Sequence, residues 1–181
     1  MEIVIRDNLK RSKAGHRKTE KVLRKALEYL EARSKLLTPQ PPLGRGGSKG
    51  GYSSLPFEVS VLFVGDGKMH ALNLRYRGID KTTDVLSFPQ YDGGELKKML
   101  KRSSQVSDHS SLPLGDIVIS LERTRAQAKE HGLSFDEELA RLLIHGLLHL
   151  FGYDHEKSAY QARKMRKMEG ELLNAVEKVD T

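Results

Sequence analysis

The chain has 181 residues, a formal net charge of +7 and no cysteine, so it can bury one core but has no disulfides or thiolate metal ligands. No apolar run approaches the roughly 20 residues of a membrane span, and the N-terminus lacks the apolar core of a signal peptide, so we expect a cytoplasmic protein. The basic charge suits a polyanionic partner, with a merely solvated basic surface as the alternative.

The N-terminal third is predicted to hold a strand, a helix and one low-complexity stretch. Residues 2–6 alternate polar and apolar side chains, which indicates a short strand, and residues 19–37 place apolar residues at helical spacing. Residues 38–56 are rich in Pro, Gly and Ser. Such a composition buries too little apolar surface to offset the entropy lost on ordering. We interpret it as a flexible insertion in a single domain spanning residues 1–181.

The remaining elements follow in an order typical of an α+β protein. Residues 134–137 form a capping box, in which Ser134 and Glu137 satisfy each other's backbone donors, and it opens a helix that is apolar nearly all round. The whole order suits a small mixed sheet with that helix packed against it. The further predicted strands are 57–65, 85–88 and 116–120, the further helices are 68–76, 121–132 and 156–179, and 91–112 is predicted to be a polar loop with a short helix near 95–102.

Three histidines near the end of the apolar helix have metal-ligand spacing. His145 and His149 are four residues apart and share one helix face, and Gly152 breaks the helix so that His155 can turn back toward them. Three imidazoles suit one zinc ion per chain with a water in an open fourth position, although Ni and Cu also suit imidazole. The alternative is two hydrogen-bonded core histidines and one surface histidine.

The same spacing occurs in zinc peptidases, which place a glutamate after the first histidine as general base. Here that position is Gly146. Because glycine offers no proton acceptor, peptidase chemistry of that kind is not expected.

The histidine segment closely resembles a known signature. Residues 145–155 resemble the H-G-x-L-H-L-x-G-Y-D-H motif of the YbeY family of metal-dependent endoribonucleases. Residues 72–89 and 114–120 resemble two further blocks of that family in the same order, with Thr82 where the family usually has proline. The resemblance implies a zincin-like sheet of about four strands covered by helices. It also implies a single-strand-specific endoribonuclease acting in ribosomal RNA maturation, at the 3′ end of 16S rRNA, and in ribosome quality control.

The resemblance also suggests how RNA would be cleaved. Arg77 matches an arginine that the family uses functionally, and a guanidinium can bind two phosphate oxygens and stabilise charge that develops on them. The nucleophile would be a metal-bound water. Arg75, two residues earlier, is predicted to be a surface residue. The expected partners are ribosomal RNA and the ribosome or proteins associated with it.

The sequence leaves the roles of several carboxylates open. Asp84 and Asp116 could hold the histidine tautomers by hydrogen bonding, or could be turn and strand residues. Asp154 is expected to shape the turn before His155, and Glu156 is a candidate for the missing base. A zinc-stabilised RNA-binding or ribosome-assembly module without activity is the alternative function.

Overall fold

A computed structural model describes residues 2–7, 13–37, 57–103 and 111–177. The predicted insertion at 38–56 lies outside these residues, so the single domain with a flexible insertion stays a prediction. None of the described helices is both long and apolar enough to cross a membrane. The elements in chain order are β1 (Glu2–Asp7), α1 (Lys13–Leu37), β2 (Phe57–Val64), α2 (Asp66–Arg77), β3 (Val85–Pro89), α3 (Gly93–Ser103), β4 (Leu112–Ser120), α4 (Leu121–His131), α5 (Phe135–Leu150) and α6 (Ala159–Glu177).

The four strands form one mixed sheet in the order β1-β2-β4-β3, which confirms the predicted α+β class. The pairs β1–β2 and β2–β4 are parallel, whereas β3 runs antiparallel to β4 and forms an edge of the sheet. Among the described residues β3 pairs with β4 on one side only, and its other edge borders a cleft.

Successive side chains of each strand point to opposite faces of the sheet, and each face has its own hydrophobic cluster. One face of the sheet packs against α1, α5 and α6 and forms the main core, which includes Val61, Ile117 and Leu147. The other face packs a smaller cluster with α2, in which Met69 contacts residues of β2, β3 and β4. Helices α2 and α5 therefore lie on opposite faces of the sheet.

Helix α5 begins and ends as its sequence predicts. Ser134 accepts from the backbone of Glu137 and Glu137 accepts from the backbone of Ser134, which completes the capping box. The helix ends at Leu150, and Gly152 adopts a left-handed φ of 80°. A Cβ added to Gly152 would lie 2.7 Å from the Cα of Gly93, so this turn requires glycine on both conformational and steric grounds.

Two boundaries differ from the sequence prediction by four residues or more. Strand β4 begins at Leu112 rather than at residue 116, because Leu112, Pro113 and Gly115 pair with β2 across a register shift. Pro113 and Gly115 look like turn residues, but Pro113 is exposed and Gly115, with φ 130°, allows Phe88 to approach closely. The short helix expected inside 91–112 is present as α3, and α1 begins six residues earlier than predicted, at Lys13.

Candidate metal centre

The structure brings together the three predicted histidines. One nitrogen from each of His145, His149 and His155 lies within 4.8 Å of the other two. The Nε2 atoms of His145 and His149 are 3.1 Å apart. The three ring centroids form a nearly equilateral triangle with sides of 4.8, 5.2 and 5.2 Å. All three rings thus converge on one point at the end of α5.

This geometry fits a single divalent ion. Two imidazole nitrogens bound tetrahedrally at about 2.0–2.1 Å from one ion would lie about 3.4 Å apart, close to the Nε2 separation observed. Burial first, and then the charges of His145 and His155, lower the pKa of His149. A neutral imidazole is the form that binds a metal, so these influences favour the ligand state.

A glutamate on α6 orients the first histidine. The carboxylate Oε1 of Glu169 lies 2.6 Å from Nδ1 of His145, and both side chains are about one-fifth exposed. When Nδ1 carries the proton, Nε2 has its lone pair free for a metal. Glu169 could not be predicted from the sequence, because its helix is separate from the histidine run and no spacing rule relates the two.

The histidines line a cleft of about 470 Å³ along the outer edge of β3. Helix α5 forms one side of the cleft, and Arg77, the last residue of α2, reaches it from the other face of the sheet. The cleft is lined by Arg77, Thr83, Asp84, Val85, Leu86, Ser87, Pro89, Arg141, Leu142, His145, His149, Asp154, His155 and Glu156.

Arg77 is paired in the cleft with a carboxylate next to the third histidine. Its Nη2 atom donates to Oε1 of Glu156 at 3.2 Å, and both side chains are substantially exposed. Arg75 does not line the cleft, and its guanidinium lies over the ring of Tyr76. Arg77 therefore lies at the cleft and Arg75 lies outside its lining. That Arg77 acts on RNA stays a prediction.

The aspartates near the site differ in position, since Asp84 and Asp154 lie in loops at the cleft and Asp116 lies on β4. Asp84 lines the cleft but accepts hydrogen bonds from Gln127 and from the backbone of Val85, and Asp116 is an exposed residue of β4. Burial alone would raise the pKa of Asp84, but these hydrogen bonds outweigh it and lower the pKa below its ordinary value. Asp154 accepts from the backbone of Glu156, which confirms its role in the turn.

A second arginine at the cleft was also missed. Arg141 lies four residues before His145 on α5 and lines the same cleft. The i, i+4 relation that singled out His145 and His149 also applies to Arg141, so extending that row by one turn would have identified it.

Comparisons with known proteins show which family the chain belongs to. The family model described as Endoribonuclease YbeY matches residues 5–177. A relative named Endoribonuclease YbeY from Leptospira interrogans is 46% identical over 124 residues, covering 66% of this chain and 87% of the relative. Another of that name from Thermodesulfovibrio yellowstonii is 44% identical over 116 residues, covering 64% and 65%. The solution structure of TM1509 from Thermotoga maritima aligns with a TM-score of 0.55 and 25% identity, covering 96% of this chain and 88% of that one. With its cluster of three histidines and a family match over nearly its whole length, this chain belongs to the YbeY family.

Proposed function

We propose that this protein is an endoribonuclease that hydrolyses RNA at the three-histidine centre with the help of a divalent metal ion. The observation that carries the proposal is the meeting of His145, His149 and His155 with Arg77 in one open cleft. Relatives that carry the name Endoribonuclease YbeY support RNA as the substrate.

Each residue of the centre has a defined task in this proposal. The three imidazoles hold the ion, and Glu169 keeps the proton of His145 on Nδ1. When bound, a divalent ion lowers the pKa of a coordinated water and polarises phosphoryl oxygens, and we propose zinc as this ion because three imidazoles with an open position are typical of catalytic zinc sites. Arg77 contributes a planar cation with donors that match two phosphate oxygens.

The pairing of Arg77 with Glu156 is compatible with phosphate binding. The two side chains are 45% and 66% exposed and joined by one hydrogen bond of 3.2 Å. Exposed ion pairs of this kind contribute at most about 1 kcal/mol. An incoming phosphate, which carries a full charge and offers two oxygens, can therefore displace Glu156 at little cost.

The structure around Gly146 argues against a peptidase. A Cβ at this position would lie 2.9 Å from Cγ2 of Ile117 and 3.2 Å from Oγ of Ser87. The helix is thus packed so closely on the sheet that a glutamate side chain has no room there. Gly146 has no proton acceptor, and the surrounding side chains leave no space for the glutamate that serves as base in the zinc peptidases.

The finer parts of the proposal concern the biological substrate. We propose that the RNA is ribosomal, that cleavage occurs in single-stranded regions near the 3′ end of 16S rRNA, and that the protein works with the ribosome in the cytoplasm. Membership of the YbeY family and the net charge of +7 support these assignments.

The decisive experiment combines metal analysis with RNA cleavage. The purified protein should contain about one divalent ion per chain, cleave single-stranded ribosomal RNA, lose activity with a chelator and regain it with zinc. The variant His149→Ala should lose both metal and cleavage. A metal-loaded protein that binds RNA but leaves it intact would favour the non-catalytic assembly module instead.

A further inference from the structure

Arg141 is held in the cleft by a buried carboxylate. Glu138, one turn earlier on α5, has a side chain that is 0% exposed, and it accepts hydrogen bonds from Nε of Arg141 at 3.0 Å and from Nη2 at 2.5 Å. Nδ1 of His131 lies 3.2 Å from the same carboxylate. Burying a carboxylate is costly unless such partners compensate it. Glu138 therefore fixes the orientation of the Arg141 side chain.

This pairing occupies one edge of the guanidinium group only. An arginine has five N–H donors arranged along two usable edges, and the Nε and Nη2 donors toward Glu138 form one of them. The other edge, made by Nη1 and the second N–H of Nη2, has no hydrogen-bond partner among the described residues at the cleft. The side chain is 36% exposed and lines the cleft. A rigid bidentate donor is thus available to a ligand there.

The position of Arg141 relative to the histidines indicates what that ligand would be. Arg141, His145 and His149 follow one another at four-residue steps along one face of α5. One such step rises about 6 Å along the helix axis, which is of the order of the separation between consecutive phosphates of a nucleic acid strand. Arg77 approaches the histidines from α2, on the other face of the sheet.

We propose that Arg141 binds an RNA phosphate next to the one that is cleaved, and so sets the position of the strand along α5. The inference rests on the proposed function, because it assigns a second phosphate contact to the same site. Glu138 is then a positioning residue that presents the free edge of Arg141 to the strand. Arg77 contacts the phosphate that reacts, whereas Arg141 contributes to the affinity for RNA by contacting its neighbour.

The test uses RNA oligonucleotides in which one phosphate at a time is replaced by a neutral methylphosphonate. For the unmodified protein, replacement of the phosphate that Arg141 contacts should raise KM about tenfold, the usual effect of losing one charged contact. Arg141→Gln should raise KM by a similar factor with kcat little changed. The same methylphosphonate should then cause no further loss in this variant. The control Arg24→Gln, at an exposed arginine that pairs with Glu20 on α1, should leave the whole pattern unchanged.

Arg141→Lys separates binding from a merely structural role. Its ammonium can still pair with Glu138 and so preserve thermal stability, but it has no second edge for RNA, and KM should stay raised. A lysine variant with normal KM, or an Arg141→Gln variant that retains the methylphosphonate effect at every position, would overturn the proposal.

A binding measurement keeps the two proposals distinguishable. If the unmodified protein cleaves no RNA, the proposed function fails, and the affinity of the chelator-treated protein for single-stranded RNA then tests Arg141 alone. Affinity decreases with salt, and the magnitude of the slope of log affinity against log salt concentration should be smaller by about 0.7 in Arg141→Gln, as expected for one lost phosphate contact. An unchanged slope would remove Arg141 from RNA binding.

Discussion

The carboxylate of Glu169 on α6 lies 2.6 Å from Nδ1 of His145 on α5. This contact makes the tautomer of a candidate metal ligand depend on the packing of two helices. The buried side chains of α6, among them Met165 and Leu172, belong to the same core as α5 and hold the two helices in register. Packing in the core thereby holds the carboxylate of Glu169 where it can orient the imidazole of His145.

Loss of the Glu169 carboxylate should weaken metal binding. Because carboxylates that orient ligand histidines typically contribute about 10- to 100-fold in metal affinity, Glu169→Ala should lower zinc affinity by that factor, and Glu169→Gln, which keeps an acceptor, by less. Competition with a chromogenic chelator measures the change. Glu171→Gln on the same helix is the control, since Glu171 accepts from Tyr29 instead. Equal zinc affinities in all variants would show that Glu169 does not support the site.

Arg77 and Arg75 form a matched pair for testing catalysis. Arg77→Ala should leave metal content and thermal stability nearly unchanged and reduce RNA cleavage severely, because the cation acts on charge in the transition state. Arg77→Lys should recover part of the rate, since it keeps the charge without the bidentate geometry. Arg75→Ala should behave like the unmodified protein in single-turnover cleavage. Equal losses from both alanine variants would indicate diffuse electrostatic binding.

Two helical glycines should respond in opposite directions to alanine. Gly146→Ala places a Cβ 2.9 Å from Ile117, and such overpacking costs about 1–3 kcal/mol, more than the gain in helix propensity. Gly170→Ala on α6 meets nothing within 4 Å and should stabilise the protein by about 0.5–1 kcal/mol. Thermal unfolding of the two variants measures the difference. A Gly146→Ala protein as stable as Gly170→Ala would show that the contact between α5 and the sheet is loose.

Glu138 should make stability depend on pH in the acid range. Burial alone would raise the pKa of Glu138, but its hydrogen bonds and ion pairs with Arg141 and His131 outweigh burial and lower it. Below the ordinary glutamate pKa the unfolded chain binds more protons than the folded one, so this stabilisation is present at neutral pH and is lost as the pH falls toward the folded pKa.

Urea unfolding at a series of pH values measures this effect. The free energy of unfolding should fall less steeply with acid in Glu138→Gln than in the unmodified protein. Part of the slope should remain, because the pKa of Asp84 is also lowered. Glu130→Gln, at an exposed residue of α4, serves as the control. A slope in Glu138→Gln as steep as that of the unmodified protein would contradict the assignment.

Residues 38–56 should be dispensable. Their composition argues against a packed role, and shortening a loop changes its closure entropy by only about 0.6 kcal/mol per factor of two in length. A variant in which a short turn joins Leu37 to Phe57 should remain folded and active, as circular dichroism and RNA cleavage would show. Loss of folded protein would mean that the segment is structural.

Features that arise within a few residues of the chain could be predicted from the sequence alone. The meeting of His145 and His149, the break at Gly152 and the capping box of α5 depend on spacing along one helix and on the conformational freedom of glycine, and the structure has them as predicted. Arg77 was predicted from similarity to the YbeY family, because no periodicity of the sequence indicates that it lies in the same cleft as the histidines.

The residues that complete the site from other parts of the chain depend on how the elements pack together. Glu169 reaches His145 from another helix, Glu138 orients Arg141 from a buried position, and the open edge of β3 forms the cleft between α2 and α5. The strand order and the extension of β4 through Pro113 likewise depend on pairing with β2. Within a helix, geometry follows from the rise and turn of the backbone. Between elements it follows from how the side chains of the core pack, and a single sequence carries no simple spacing rule for that packing.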